Sequence, residues 1–259
     1  MEIIGNGFLA RNLHPLAGSH PDVLVLAQGV STTRDVPDCE YQREVRVVRQ
    51  TLRRCLDRDL LLVFLSTASA GMYGTAGYPG REDAAVRPAS VYGRHKLALE
   101  QQIRSSGVRH LVLRLSHVVG PYQPPHQLVP SLTRAVCSGT VDVYRGAYRD
   151  LIGVRALRTI VDGLLGGGVT GQVVNVASGV PVTVERIVDH LEYRLGTAAR
   201  RRLVDAPART NVSLDKLRSL VPAVADLGFG PDYHRVVIDD YLAGGFDPHP
   251  RPTDRIGKS

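Results

Sequence analysis

Short apolar runs alternate with amphipathic helical patterns along most of this chain. Four runs rich in Val and Leu occur at Val23–Leu26, Leu60–Leu65, Leu111–Leu115 and Val173–Val176. Short, predominantly apolar runs rich in Val and Leu are typical of strands buried on both faces of a parallel sheet. They predict the core of an α/β domain.

Two amphipathic helices are predicted between and after these strands. In the first, apolar residues recur every three or four positions, at Tyr41, Val45, Val48, Leu52 and Leu56. The second follows Thr183, a suitable N-cap, and stops before Gly196, with the same spacing at Val184, Ile187, Val188, Leu191 and Leu195. Strands that alternate with helices in this way predict a right-handed α/β fold with a Rossmann-like parallel sheet.

The later segments predict a second, smaller lobe. The Pro-rich stretch 121–130 predicts a loop before a helix around Leu132–Val136, and further short helices are predicted near residues 214–220 and 237–242. We expect three regions: a Rossmann-like domain (1–122 with 147–180), a mostly helical substrate-binding lobe (123–146 with 181–245) and a flexible tail (246–259).

Composition narrows the class of protein. A chain of 259 residues with 43% hydrophobic content can bury a large core, which argues against a disordered or fibrous protein. The net charge of +7 is spread along the chain, so it favours an anionic small molecule as ligand. Arg greatly outnumbers Lys, which is typical of a GC-rich bacterial genome. We expect neither nucleic acid nor a membrane as partner.

The three cysteines point to a reducing compartment. Cys39, Cys55 and Cys137 are odd in number and show no CxxC or His-paired spacing, so neither a disulfide framework nor a metal site is expected. The chain contains no apolar run of about 18 residues and no secretory signal pattern at its start. We therefore expect a soluble cytoplasmic protein.

A glycine-rich turn stands at the start of the chain. Met1–Ile4 is followed by Gly5-Asn6-Gly7-Phe8-Leu9-Ala10, a GxGxxA pattern between a strand and a helix. Such a turn lets the backbone approach a pyrophosphate, whose charge is met by the helix N-terminus. The alternative interpretation is a tight turn without a ligand.

A Tyr–Lys pair is the second candidate for chemistry. Tyr92 and Lys96 are four positions apart, so on a helix they share one face. An ammonium beside a phenol lowers the phenol pKa from about 10 toward neutral pH, which suits proton exchange with a sugar hydroxyl or ketone. The alternative interpretation is an ordinary exposed pair.

Hydroxyl side chains follow the second long apolar run. Ser66, Thr67 and Ser69 stand where that strand is predicted to end, and ligands bind at this end in open α/β sheets. A hydroxyl here can donate a hydrogen bond to the substrate oxygen that exchanges a proton with Tyr92. Strand-end capping is the alternative role.

These motifs together resemble the extended short-chain dehydrogenase/reductase family, in its nucleotide-sugar epimerase, dehydratase and ketoreductase branch. The matching segments occur in the family's order across residues 1–245: Gly5/Gly7/Ala10, Ala27-Gln28-Gly29, Ser66-Thr67 with Tyr73-Gly74, Tyr92/Lys96, the segment 114–121, the segment 149–154 and the segment 175–179.

The resemblance implies a role for each matched position. It implies that Tyr92 is the general acid/base, that Lys96 lowers its pKa, and that Thr67 is the catalytic hydroxyl; counting back from Tyr73-Gly74 selects Ser69 instead. NAD or NADP would contact Gly5, Asn6, Gly7, Phe8, Leu9, Ala27, Gln28, Gly29, Tyr92, Lys96, Ser116 and Val118. The substrate would contact Ser69, His117, Arg149 and Arg209.

Some of these positions have competing interpretations. Arg149 suits the diphosphate of a sugar nucleotide, or it pairs with Asp150 or a distant acid. His117 replaces the family's usual Asn and is either a second proton carrier near neutral pH or a structural residue. The Arg200-Arg201-Arg202 cluster favours a solvated strand edge over a phosphate or nucleic-acid site.

The chain departs from the family between Gly7 and Val23. The family places two further strands there, and the first ends in the residue that reads the adenosine ribose. Only about a dozen residues are available here, so we expect both strands to be missing. Dinucleotide binding would then be weak, rearranged or lost.

Three functions follow from these expectations. The first is an NAD(P)-dependent reductase or epimerase acting on a nucleotide-activated sugar or related polyol. The second is a redox-neutral isomerase, dehydratase or cyclase on the same scaffold, and the third is a non-catalytic binding protein. A homodimer through the helix 39–56 and the helix that carries Tyr92 is also expected from the resemblance.

Overall fold

Five parallel strands form the central sheet. The structure, a computed structural model, describes residues 1–31, 36–74 and 80–244. In spatial order the strands are β1 (Glu2–Ile4), β2 (Val23–Leu26), β3 (Leu61–Thr67), β4 (His110–Leu115) and β7 (Gln172–Val176). The four apolar runs are thus confirmed as buried strands, and β3 extends two residues further than predicted, through Ser66 and Thr67.

The sheet is truncated on one side, as expected. β1 is an edge strand among the described residues, and a full doubly wound sheet continues past its first strand with two more. The chain passes from α1 (Phe8–Leu13) through a 3₁₀ turn at His14–Leu16 directly into β2. This short connection leaves no room for further strands.

Helices cover both faces of the sheet. One face packs against α2 (Asp38–Arg58) and α4 (Val91–Arg104), and the other against α1 and α6 (Val154–Gly166). The remaining helices are α3 (Ala70–Tyr73), α5 (Leu128–Cys137), α7 (Val184–Leu195), α8 (Asp215–Leu220) and α9 (Tyr233–Ala243), with a 3₁₀ turn at Pro222–Asp226. The N-cap at Thr183 and the left-handed stop at Gly196 are confirmed.

The buried face of α2 differs from the predicted stripe. Leu56 is exposed and Tyr41 and Val45 are only half-buried, whereas the fully buried residues are Glu44, Val48, Thr51, Leu52 and Cys55. The buried face is displaced by about one position because the Glu44 carboxylate is hydrogen-bonded to groups of α4. A pattern of apolar residues does not predict that a carboxylate is buried.

A second, smaller sheet stands beside the first. It consists of β5 (His117–Val119), β6 (Thr140–Gly153), β8 (Pro181–Thr183) and β9 (Arg200–Ala208). Its core includes apolar residues of α5, α7 and α9. The last residues of β6 pair with β5, which follows β4 of the large sheet after Ser116. The division into domains at residues 122, 147 and 180 stays a prediction.

Candidate active site

A cleft of about 670 Å³ opens at the carboxyl ends of β2, β3 and β4. This is the end of an open α/β sheet at which ligands bind. The cleft is lined by nearly all of the candidate residues: Asn6, Gly7, Phe8, Leu9, Ala27, Gln28, Gly29, Thr67, Ser69, Tyr92, Lys96, Ser116, His117, Val118 and Arg149. Gly5 and Arg209 are not among the lining residues.

The glycine turn forms one wall of this cleft. Gly5 has φ +131°, and a Cβ there would stand 2.7 Å from the Ala27 carbonyl oxygen, so only glycine fits between β1 and β2. At Gly7 a Cβ would meet nothing within 4 Å, because the cleft is open in front of it. No side chain caps α1 and its first turn holds no acid, so its amide groups remain suited to an anion.

Tyr92 and Lys96 stand on one face of α4, in the middle of the cleft. Ser90 caps this helix by accepting from the Gly93 amide at 2.9 Å, which fixes its first turn. The Lys96 ammonium is buried, 5.8 Å from the centre of the Tyr92 ring. The Thr67 hydroxyl is within hydrogen-bonding reach of the phenol. The four-residue spacing puts Tyr92 and Lys96 on one face of α4, and the packing of α4 against β3 brings Thr67 beside them.

Glu44 is a member of this site that the sequence analysis missed. Its carboxylate accepts from Lys96 Nζ at 2.6 Å, from His95 Nε2 at 3.0 Å and from the Val30 amide at 3.0 Å. Its side chain is only 1% exposed and is among the residues that line the cleft. A carboxylate on the inward face of an amphipathic helix was the available signal.

The charge balance around Tyr92 overturns one expectation. Burial raises the pKa of the Tyr92 phenol; the Lys96 ammonium lowers it, and the Glu44 carboxylate raises it again. The resulting pKa is above the ordinary value, not below it. Because Glu44 binds the ammonium directly, much of the positive charge that would stabilise a phenolate is already neutralised.

The two candidate hydroxyls differ in their partners. Thr67 Oγ1 accepts from the Ser69 amide at 3.1 Å and faces Tyr92. Ser69 Oγ is buried without a hydrogen-bond partner among the described residues, and it lines the same cleft. Ser69 therefore has a free donor for a ligand, whereas Thr67 is already positioned beside the phenol.

A buried polar network supports the floor of the site. Glu100 on α4 binds Arg114 of β4 through two guanidinium nitrogens, at 2.7 Å from Nη2, and also accepts from Ser66 at the end of β3. Arg114 donates onward to the Tyr73 hydroxyl at 2.9 Å, and Tyr73 donates to Asn175 at 2.6 Å. These contacts fix α4 to three strands of the sheet.

Arg149 is held toward the cleft and is not paired with its neighbour Asp150. Its guanidinium donates to the Tyr148 carbonyl at 2.8 Å, while Asp150 accepts from Ser116, Ser178 and the Gly179 amide. Burial lowers the pKa of Arg149. The structure therefore excludes an ion pair between Arg149 and Asp150, which was one alternative to a role in binding a diphosphate. Arg209 stacks on the Tyr148 ring at 5.0 Å.

His117 is not a proton carrier near neutral pH. Burial, together with the positive charge of Arg149, lowers the pKa of His117 to about 4. The imidazole is therefore neutral from pH 5 upward and serves as a hydrogen-bonding wall of the cleft. This corrects the proton-carrier interpretation in favour of the structural one.

Other expectations concern regions outside the cleft. Arg200, Arg201 and Arg202 lie on β9 with exposed side chains, and Arg202 pairs with Asp142 at 2.7 Å, which confirms the solvated edge. Within residues 1–31, 36–74 and 80–244, His, Cys, Asp and Glu form no group able to hold a metal ion. No helix there is both long and apolar enough to cross a bilayer. The predicted tail 246–259 lies outside the described residues.

The residues present fit one half of a nicotinamide dinucleotide better than the other. The open space at Gly7 and the uncapped turn of α1 suit a pyrophosphate, and Tyr92 with Lys96 suits the nicotinamide ribose. On the adenosine side, the described chain has no strand beyond β1 to supply a ribose-binding side chain.

Comparison with solved structures shows the same fold. The chain superimposes with a TM-score of 0.77 on RMD from Pseudomonas aeruginosa complexed with NADPH, at 18% identity over 93% of this chain and 98% of the other. It superimposes with a TM-score of 0.74 on MoeE5 in complex with UDP-glucose and NAD, at 22% identity over 93% and 84%.

Sequence comparison identifies the family. UDP-glucose 4-epimerase of Mycolicibacterium smegmatis is 31% identical over 75% of this chain and 71% of its own. UDP-glucuronate 4-epimerase 1 of Arabidopsis thaliana is 28% identical over 79% of this chain, which spans about half (53%) of that relative. The model of the NAD dependent epimerase/dehydratase family matches residues 10–177. The chain therefore belongs to the NAD dependent epimerase/dehydratase family.

Proposed function

We propose that this protein is an NAD(P)-dependent reductase or epimerase that acts on a nucleotide-activated sugar. One observation carries the proposal: the Tyr92 phenol, the Thr67 hydroxyl and the Lys96 ammonium converge in the same cleft as the glycine turn and Arg149. Relatives named as UDP-sugar 4-epimerases support a UDP-sugar as the substrate.

The proposed chemistry is proton exchange by Tyr92. When a substrate ketone is reduced, the phenol gives its proton to the carbonyl oxygen as the carbon gains a hydride; oxidation of the alcohol runs the same transfers in reverse. A nicotinamide, when bound, supplies or accepts that hydride. The raised pKa of Tyr92 keeps the phenol protonated at neutral pH, which suits the reductive direction.

The polar groups around Tyr92 have separate proposed roles. Thr67 holds the phenol and Ser69, with its free hydroxyl, donates to the sugar. Arg149 has no carboxylate beside it in the described part of the chain, so its guanidinium is available to bind the substrate diphosphate with paired hydrogen bonds.

The proposed function is tested by direct assay. The purified protein is incubated with UDP-glucose or UDP-glucuronate and catalytic NAD⁺, and the sugar is followed by proton NMR. A new anomeric signal from the 4-epimer, or a 4-keto product with matching NADH, supports the proposal. Unchanged sugar in all combinations, with bound cofactor verified, contradicts it.

The truncated sheet favours a second candidate: a redox-neutral isomerase, dehydratase or cyclase that does not retain a dinucleotide. This candidate rests on the edge position of β1. It predicts turnover of a sugar nucleotide by protein freed of dinucleotide, with no response to added NAD⁺ or NADP⁺. Loss of turnover on removal of the cofactor excludes it.

The same truncation predicts poor discrimination between NADH and NADPH. Since the described chain lacks the strand whose end reads the ribose 2′ position, the two affinities should agree within about tenfold, or about 1.4 kcal/mol. Calorimetric titration of both cofactors measures this. Gly7→Val is the control, because a Cβ at this position meets no protein atom within 4 Å and the added side chain would occupy the cleft, which should abolish binding of both. A preference above about 100-fold contradicts the prediction.

Replacing Arg149 should weaken substrate binding and spare cofactor binding. We expect Arg149→Met to lose about 10- to 100-fold in affinity for UDP-glucose, since a hydrogen bond to a charged group contributes about 1.5–3 kcal/mol. Arg145→Met, on the same strand but exposed and paired with Asp205, is the matched control and should bind normally. Equal affinities for both variants would exclude a diphosphate role for Arg149.

A further inference from the structure

Glu44 occupies an unusual position for a carboxylate. It lies on α2, yet its two oxygens bind groups of another helix and of the loop after β2: Lys96 at 2.6 Å, His95 at 3.0 Å and the Val30 amide at 3.0 Å. The neighbouring backbone is closely fitted to it. At Gly29, with φ +143°, a Cβ would stand 2.2 Å from Glu44 Oε1, so this approach requires glycine.

The Lys96 ammonium depends on this carboxylate for its charge balance. Lys96 is 4% exposed, and its ammonium also lies over the faces of the Phe64 and Tyr92 rings, with centres at 5.2 and 5.8 Å. The other buried carboxylate nearby, Glu100, is already bound to Arg114. A buried ammonium without a bound anion would be costly, so Glu44 is its principal counter-charge.

We propose that Glu44 is a positioning residue of the Tyr92 site: its carboxylate fixes the Lys96 ammonium where it lines the cleft and neutralises the charge of that ammonium beside Tyr92. Glu44 acts on Tyr92 through Lys96 and through its own charge, so it is not itself a catalytic residue. The inference rests on the proposed function, in which the Tyr92 phenol exchanges the proton, and adds the residue that sets the charge beside that phenol.

The direction of the pKa shifts agrees with this geometry. Burial lowers the pKa of Lys96, but the attraction of Tyr92 and Glu44 outweighs it and the pKa is raised. Burial raises the pKa of Glu44, but the hydrogen bond from His95 and the charge of Lys96 outweigh it and the pKa is lowered. Both partners are therefore stabilised in their charged forms.

Among residues 1–31, 36–74 and 80–244, the ionisable groups around the pair come from two helices. From α4 they are Tyr92, His95, Lys96 and Glu100, and from α2 they are Glu40, Tyr41, Arg43 and Glu44. β3 contributes the uncharged Thr67. Removing the Glu44 charge alone makes the site more positive. A protonated lysine then becomes less stable and a phenolate more stable, so the pKa values of both Lys96 and Tyr92 should fall.

The experiment uses Glu44→Gln, which keeps the shape and one acceptor oxygen. The chain has only three lysines, so labelling lysine with ¹³C at Cε gives three signals; Lys216→Arg and Lys258→Arg assign two of them and leave Lys96. Tyr92 is followed by tyrosinate absorbance, as the difference between each protein and its Tyr92→Phe counterpart. We expect both titration midpoints to fall by about one unit or more in Glu44→Gln.

Asp57→Asn is the control, because it also removes one carboxylate charge from α2, at an exposed position outside the cleft lining. It should move neither midpoint. Midpoints in Glu44→Gln that stay within about 0.3 unit of the parent would overturn the proposal.

A second measurement serves if Glu44→Gln does not fold. In the unaltered protein, the Lys96 signal should titrate well above the value of about 10.4 found for free lysine side chains. A Lys96 signal that titrates at or below this value overturns the proposal. All these titrations are made without ligand, so a failed sugar assay would count against the proposed function and leave this inference to be judged separately.

Discussion

Tyr92→Phe is expected to lower turnover of the sugar nucleotide by about 10²- to 10⁴-fold, the usual contribution of a positioned general acid. The substitution removes only the phenolic oxygen, so the half-buried ring keeps its place on α4 between Thr67 and Lys96. Affinity for the cofactor and for UDP-glucose should change little. Steady-state rates together with calorimetric binding measure the two effects separately.

Tyr122→Phe is the control for this prediction. Tyr122 is 63% exposed and lies outside the cleft lining, so loss of its hydroxyl should leave the rate unchanged. If Tyr92→Phe retains more than about a tenth of the parent rate, the phenol is not the group that exchanges the proton.

The pH dependence follows from the raised pKa of Tyr92. A group with a pKa above its ordinary value stays protonated through the neutral range. Reduction of a ketone, which needs the phenol, should therefore be level from neutral pH upward and fall only above about pH 10. The rate of the reverse oxidation, which needs the phenolate, should increase as the pH rises above about 10.

Glu100→Ala is expected to destabilise the protein by about 3–5 kcal/mol, the cost of leaving one partner of a buried ion pair alone. Glu100 and Arg114 are 1% and 2% exposed, so the substitution leaves the Arg114 guanidinium buried without its carboxylate. Arg114 would also lose the anchor that orients it toward Tyr73. Urea unfolding, with the slope checked for constancy, measures the change.

An exposed ion pair provides the control for Glu100. Asp205 on β9 faces Arg145 at 3.6 Å with both side chains largely exposed, and Asp205→Asn should change the free energy of unfolding by less than about 1 kcal/mol. If Glu100→Ala costs no more than this control, the network does not hold α4 against the sheet.

The two buried carboxylates of the site have different tasks. Glu100 joins α4 to the ends of β3 and β4 and so places the helix. Glu44, on α2, binds the Lys96 ammonium and sets the charge beside Tyr92. The site therefore depends on two buried acids, neither of which is expected to exchange a proton with substrate.

The sequence alone determined the elements and the local motifs. Strands buried on both faces show as apolar runs, the turn after β1 needs glycine at Gly5, and Tyr92 and Lys96 share a helix face because they are four positions apart. Even the truncation of the sheet followed from counting residues before Val23. All of these depend on contacts within a few positions along the chain.

Only the tertiary structure decided the electrostatics. Glu44 and Lys96 are 52 positions apart, and the Glu100–Arg114–Tyr73–Asn175 network joins four separate segments, so no local pattern predicts these contacts. The pKa values of Tyr92 and His117 depend on burial and on which charges the fold brings near them, and both differ from the expectation based on neighbours in sequence. Coulomb interaction and desolvation act through space, and the order of residues along the chain does not contain those distances.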